Sequence, residues 1–189
     1  MDRRQKKTQE AILQAFTTLL AAKAYPKITV QEIIDQACIS RSTFYAHFET
    51  KDYLLKGICS NLFDHVVARK LFAEATHDFS LNVSDPKILF THILYHLRDN
   101  KQNTVRLLSD SDDSSDIFLS YFKPDLNDLI EVHVFEQVKP QNIYVPEKFL
   151  INHISCSFIS MVQWWIEHNL QESPEELSRY FERVIIPVI

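Results

Sequence analysis

The chain has 189 residues, enough for a sizeable core in one large domain or in a small one plus a larger one. Its formal net charge of −5 excludes a uniformly basic nucleic-acid binder, so the distribution of charge along the chain becomes the informative quantity. A single glycine, 46% hydrophobic residues and no stretch of strict alternation exclude a β-rich fold and a glycine-built phosphate loop, and an all-α protein is expected.

A first helix is expected from about residue 4 to 23, with Ile12, Leu13, Phe16, Leu19 and Leu20 as its inner stripe. Arg3, Arg4, Lys6 and Lys7 form a basic segment at its start, able to reach phosphates or to remain a solvated tail. Thr29 is placed to cap a second, short helix, with Glu32 completing a capping box and Val30, Ile33, Ile34 and Ala37 sharing one apolar face. Cys38, Ile39 and Ser40 break that pattern. Ser40 then caps a third helix from Arg41 to about Phe48, in which Phe44 and Phe48 stand four apart and turn inward together. This leaves Arg41, Ser42 and Tyr45 outside, with Thr43, Ala46 and His47 at the flank, a set rich in donors for phosphate oxygens and base edges. Tyr45 can also be read as a half-buried aromatic at the helix edge, and His47 as a charge interacting with the helix dipole.

The segment TVQEIIDQACISRSTFYAHFETKDYLL resembles the helix-turn-helix of the tetracycline-repressor (TetR) family of bacterial regulators. The likeness spans roughly the first sixty residues and is carried most specifically by Ser40, Thr43, Phe44, Tyr45, His47, Phe48, Lys51 and Leu54. The sequence departs from the family at Cys38, where glycine is usual, and a side chain there costs about 1 kcal/mol if the backbone is left-handed. The resemblance implies a DNA-binding domain over residues 1–56, with its motif at about 30–48, and a regulatory and dimerisation domain over 57–189. Arg41, Ser42, Thr43 and Tyr45 would enter the major groove, with Thr29, His47, Lys51 and the basic N-terminus contacting the DNA around them. Charge agrees with this division: residues 1–56 hold nine Lys or Arg against six acids, giving +3 and leaving −8 for the remainder.

Lys51 is expected to open a long helix reaching about residue 75, on which Tyr53, Leu54, Leu55, Ile58, Leu62, Phe63 and Val66 continue the apolar pattern. Residues 77–86 lack periodicity and end in a helix-starting proline, and helices are expected over about 86–99 and 101–109. The Ser- and Asp-rich stretch from Ser109 to Asp116 reads as a loop and N-cap, since a calcium loop would need a glycine and a distal glutamate that it lacks. A helix over 115–138 should follow, then a break at KPQNIYVP, then helices over 147–169 and 174–186, the last started by Ser173 and Pro174.

Phe149, Ile154, Phe158, Met161, Val162, Trp165, Leu177, Tyr180, Phe181, Val184 and Ile185 give the last two helices more apolar surface than a small body needs, and a helical dimer interface is the economical use. The family resemblance implies the same homodimer, through about residues 147–186, on a near-palindromic double-stranded operator. It also implies a small-molecule effector held in the body. Phe90, Tyr95, Phe118, Tyr121, Phe122 and Trp164 either line such a cavity or fill a solid core. SPEELSRYFERVI, after WWIEHNL, resembles a subgroup containing dihydroxyacetone-kinase activators, which implies the alternative of an activator-type regulator working through a protein partner without a pocket.

No metal site is expected. His92 and His96 have chelating spacing, but no acid or cysteine ligand accompanies them in sequence, and His133, His153 and His168 are likewise read as polar surface. Cys38, Cys59 and Cys156 are odd in number and unpaired in spacing, consistent with a reducing cytoplasm. No G-x-S-x-G elbow and no paired nucleophile and base appear, so neither enzymatic activity nor a cofactor is expected. No apolar run is expected to span a membrane. The reading is therefore a cytoplasmic DNA-binding transcriptional regulator, a repressor released by an effector.

Overall fold

The computed structural model describes residues 3–67, 86–109, 113–135 and 145–185, and among these there are helices and turns but no strand. The helices are α1 (Arg3–Ala22), α2 (Val30–Ala37), α3 (Arg41–His47), α4 (Asp52–Val67), α5 (Pro86–Asp99), α6 (Lys101–Ser109), α7 (Asp113–Ile130), α8 (Glu147–Glu167) and α9 (Pro174–Ile185). They fall into two compact units, residues 1–59 with 102–121 and residues 60–101 with 122–189.

In the first unit α2 packs on α1, which buries Ile12, Leu13, Ala15, Phe16 and Leu20. Thr29 caps α2 as the capping box requires: its hydroxyl accepts from the Glu32 amide, and the Glu32 carboxylate accepts from the Thr29 amide at 2.9 Å. Ser40 caps α3 by accepting from the Thr43 amide at 3.1 Å. Between the two helices Cys38 sits in the left-handed region, at φ 53° and ψ 46°. The amide of Ile39 bonds back to the carbonyl of Ile34 at 3.2 Å, closing the end of α2. Gly57 lies on α4 where a Cβ would come within 2.9 Å of Leu13 Cδ2, so the glycine serves a close approach and not a turn.

In the second unit α9 packs on α5 and α8, and Phe90, Phe158 and Phe181, one from each helix, meet with ring centroids 5.1 to 5.4 Å apart. Trp165 is fully buried and donates its indole N–H to the carbonyl of Glu172 in the α8–α9 connection at 3.0 Å. That connection turns on Asn169 and Leu170, both at positive φ, and Ser173 then caps α9 reciprocally with Glu176.

Several boundaries differ from expectation. Asp113–Asp116 form the first turn of α7 and not a loop. That helix accommodates Pro124 and ends at Ile130, followed by a π turn over Glu131–Phe135. The expected continuation of α4 past Val67, and most of the two loops expected at 77–86 and 139–146, lie outside the described residues. The expectation that no apolar run reaches membrane length is corrected by α8, a 21-residue helix containing an 18-residue window of mean hydropathy 1.2, long and apolar enough by length and composition alone. It buries Leu150, Ile151, Ile154, Phe158, Val162, Trp165 and Ile166 and so serves as a core helix of its unit.

Glycine adopts the left-handed conformation without the steric penalty a side chain meets, at some cost in unfolded-state entropy. Cys38→Gly is therefore expected to raise stability by about 0.5–1 kcal/mol. The urea midpoint measures this, and a lowered midpoint would mean that the Cys38 side chain contributes contacts that outweigh the strain.

Candidate nucleic-acid interface

The exposed face of α3 is made by what the helix hides. Phe44 is wholly buried and Phe48 nearly so, their centroids 6.1 Å apart, which fixes the rotation of α3 about its axis. Arg41, Ser42 and Tyr45 are consequently exposed, and Thr43 and His47 are half-buried at the flank. Tyr45 is 50% exposed and stands edge-on to Phe44 at 5.3 Å, so its ring is braced while its hydroxyl end is free to project. The hydroxyls of Ser42 and Thr43 both contact Ser40 Oγ, at 2.9 and 2.7 Å, forming a small hydroxyl cluster at the start of the helix.

Other sequence-selected residues have different surroundings. Thr29 is exposed, but its hydroxyl and amide both serve the capping box. The Lys51 ammonium donates to the carbonyls of Tyr25 and Ile28, each at 3.0 Å, and lies 4.1 Å from the centre of the Tyr25 ring. Burial depresses its pKa, with Asp52 opposing that effect. Lys51 therefore holds the start of α4 against the turn that leads into α2.

Sequence reasoning missed the other half of this clamp. Tyr25 is buried and hydrogen-bonds through its hydroxyl to the Asp52 carboxylate, and burial, reinforced by Asp52, pushes its pKa upward. The aromatic at 25 beside Pro26, and an acid opening α4, were the only traces in the sequence.

Arg3, Arg4 and Lys7 line one open surface depression together with Thr8, Ala11 and Ile39 of the α2–α3 turn. The basic N-terminus is thus gathered beside the helix-turn-helix. These cations occupy the first turns of α1, where the helix dipole disfavours positive charge.

In the second unit the structure sorts the apolar residues assigned to a dimer face. Ile154, Phe158, Val162, Trp165, Leu177, Phe181 and Ile185 are buried within the protomer, which corrects their assignment to an intermolecular surface. Phe149, Tyr180 and Val184 are exposed, at 61%, 46% and 67%. Trp164, expected to line a cavity, is also exposed, stacked on His168 at 4.2 Å. Phe90 and Phe122 are buried in ring-to-ring packing, and the Tyr95 hydroxyl bonds to Glu175. One groove of this unit, about 260 Å³, is lined by Ser60, Phe63, Asp64, Asp125, Asp128 and His133 among others, none of them from the expected aromatic set.

Residues 12–58 match the model of a family described as bacterial regulatory proteins, tetR family, and residues 84–187 match one described as transcriptional regulator C-terminal region. The chain is similar to a TetR transcriptional regulator from Streptococcus agalactiae, with 31% identity, 97% of this chain and 96% of that one covered, and a TM-score of 0.68. It is 26% identical over 186 residues to an uncharacterised HTH-type regulator, YxbF, of Bacillus subtilis; the match takes in 96% of this chain and 45% of that protein, so the chain spans less than half of that relative's length. Its similarity to DhaS of Lactococcus lactis, the dhaKLM operon transcriptional activator, is 38% over 60 residues, 32% of each chain. A solved structure of the dihydroxyacetone kinase operon activator DhaS shares the fold, with a TM-score of 0.66 at 20% identity over 95% of this chain and 94% of that one.

Glu32 links α2 to α1 through Lys23, and its pKa is pulled down to about 2, first by the Lys23 hydrogen bond and then by the Thr29 amide and hydroxyl. A carboxylate depressed in the folded state stabilises the fold above its unfolded pKa, and that contribution disappears as pH falls through the folded value. Glu32→Ala should melt below the parent chain at pH 7, with the gap narrowing as pH falls from 4.5 toward about 2. Thermal melts across that window check it, and a constant gap would show that the charge plays no part.

Proposed function

The chain belongs to the TetR family and is a DNA-binding transcriptional regulator, and we propose that it acts as a homodimeric repressor on a palindromic operator. The observation that carries this reading is the exposed α3 face of Arg41, Ser42 and Tyr45, held outward by buried Phe44 and Phe48. Inserted in a major groove, Arg41 has the fork to meet a guanine edge, and Ser42, Thr43 and Tyr45 supply further donors and acceptors. Arg3, Arg4, Lys7 and His47 hold phosphates, with Thr29 at the flank. The gathering of Arg3, Arg4 and Lys7 beside Ile39 of the α2–α3 turn supports this role. Lys51 contributes by fixing the subdomain, with any phosphate contact left to the remaining N–H of its ammonium.

Two recognition helices are needed to read two half-sites, and the dimer is formed by α8 and α9 through Phe149, Trp164, Tyr180 and Val184. Release follows when an effector bound in the C-terminal domain favours a conformation whose recognition helices no longer match successive half-sites.

A second reading is an activator that answers to a protein partner in place of a small molecule. The Phe90–Phe158–Phe181 packing favours it, because Phe90, one of the aromatics expected to line an apolar cavity, is spent on the core, and so does the N-terminal likeness to an activator.

Selection of bound fragments from genomic DNA at stated salt is expected to enrich a palindromic site, and failure to enrich any sequence would overturn the reading. On that site Arg41→Ala should lose roughly 1–3 kcal/mol of specific binding, about ten- to a hundredfold, with an unchanged melting temperature. Unchanged affinity would remove Arg41 from the interface. Val184→Glu should convert the dimer to a folded monomer in sedimentation experiments, and a dimer of undiminished strength would place the interface elsewhere.

A further inference from the structure

Three histidines converge inside the second unit. His92 and His96 lie four apart on α5 and therefore share a face, and their Nε2 atoms are 3.0 Å from each other. His65 reaches the same point from α4, with its ring centroid 5.2 Å from His92 and 4.7 Å from His96. One ligand-capable atom from each residue can be chosen so that all three lie within 4.8 Å of one another. His92 is 1% exposed, whereas His65 and His96 are half-buried, which leaves the cluster a way in from solvent.

We propose that His65, His92 and His96 form a binding site for a divalent transition-metal ion of the zinc type. An ion about 2.1 Å from each ligand needs nitrogens roughly 3–3.5 Å apart, a spacing that His92 and His96 already have. The backbone of α5 enforces that pair, because i and i+4 side chains stand one above the other on a helix. Rotation of the His65 side chain toward them closes the third distance. A purely imidazole donor set selects zinc, copper, nickel or cobalt over magnesium or calcium, which prefer oxygen ligands. Three protein ligands leave a fourth position for water or for a donor atom of a small molecule. The competing use of the same geometry is an imidazole-to-imidazole hydrogen bond within a metal-free polar cluster.

The site is tested without DNA, on the full chain purified with no histidine tag. Zn²⁺ titrated by calorimetry against a competing chelator is expected to bind one ion per chain, and Co²⁺ should give the visible absorption of a low-coordinate nitrogen site. His65→Gln and His96→Gln keep polar side chains at half-buried positions, and each should weaken Zn²⁺ binding roughly tenfold or more and abolish the Co²⁺ spectrum. His153→Ala, at an exposed histidine on α8, should leave both unchanged. Saturating Zn²⁺, at about 100 times its Kd, should raise the parent chain's melting temperature by roughly 5–10 °C and that of the two glutamine variants by about half as much or less. No binding by the parent chain at micromolar Zn²⁺, or binding that survives both substitutions, would overturn the proposal.

Discussion

The helix-turn-helix unit rests on one half-buried ammonium. Lys51 spends two of its three N–H donors on the carbonyls of Tyr25 and Ile28, the first of which also accepts the Ile28 amide in the turn before α2. Its stem and charge cover the face of Tyr25, whose own hydroxyl is anchored by Asp52, the next residue along. The arrangement fastens the beginning of α4 to the beginning of α2. The placement of α3 between them is then limited by short connections on either side. Burying a cation costs free energy unless its donors are used, so this clamp favours one geometry of the unit over looser alternatives that would strand the charge.

How much of this was legible depends on the range of the interaction. The Thr29–Glu32 box, the Ser40 cap and the Phe44–Phe48 pair are all contacts over three or four residues, and sequence spacing is sufficient to identify them. Cys38 was legible by position, because the chain must reverse there, and its positive φ follows. The role of Lys51 was not, since its acceptors are backbone carbonyls 23 and 26 residues away, and a carbonyl leaves no trace in the identity of its residue. The aromatic and aliphatic residues of α8 and α9 posed a different difficulty. Apolar groups occur on both the inner and outer faces of these helices, so periodicity identifies helices without saying which stripe stays within the protomer. Likewise the spacing of His92 and His96 was visible, and only the fold could bring His65 to them from 27 residues earlier.

Charge is sorted along the chain in a way that its total conceals. The −5 overall combines an N-terminal +3 with a strongly acidic remainder, and the groove of the second unit collects Asp64, Asp125 and Asp128. A phosphate backbone attracts the one segment and repels the other. A single docking orientation is therefore favoured before any base is read, at low salt above all, because screening shortens the reach of both effects.

Gly57 gives the scarcity of glycine a particular meaning. Elsewhere the chain reverses direction with Cys38, Asn169 and Leu170, accepting left-handed backbone at residues with side chains. Its one glycine is instead helical, set where α4 runs nearly against the Leu13 side chain, and a Cβ there would stand 3.6 Å from the Phe48 ring. Position 57 thus works as a spacer of fixed thickness. A methyl group there would displace the end of the Leu13 side chain and come into contact with Phe48, so the packing of α4 on α1 beside α3 is tied to a residue with no chemistry of its own.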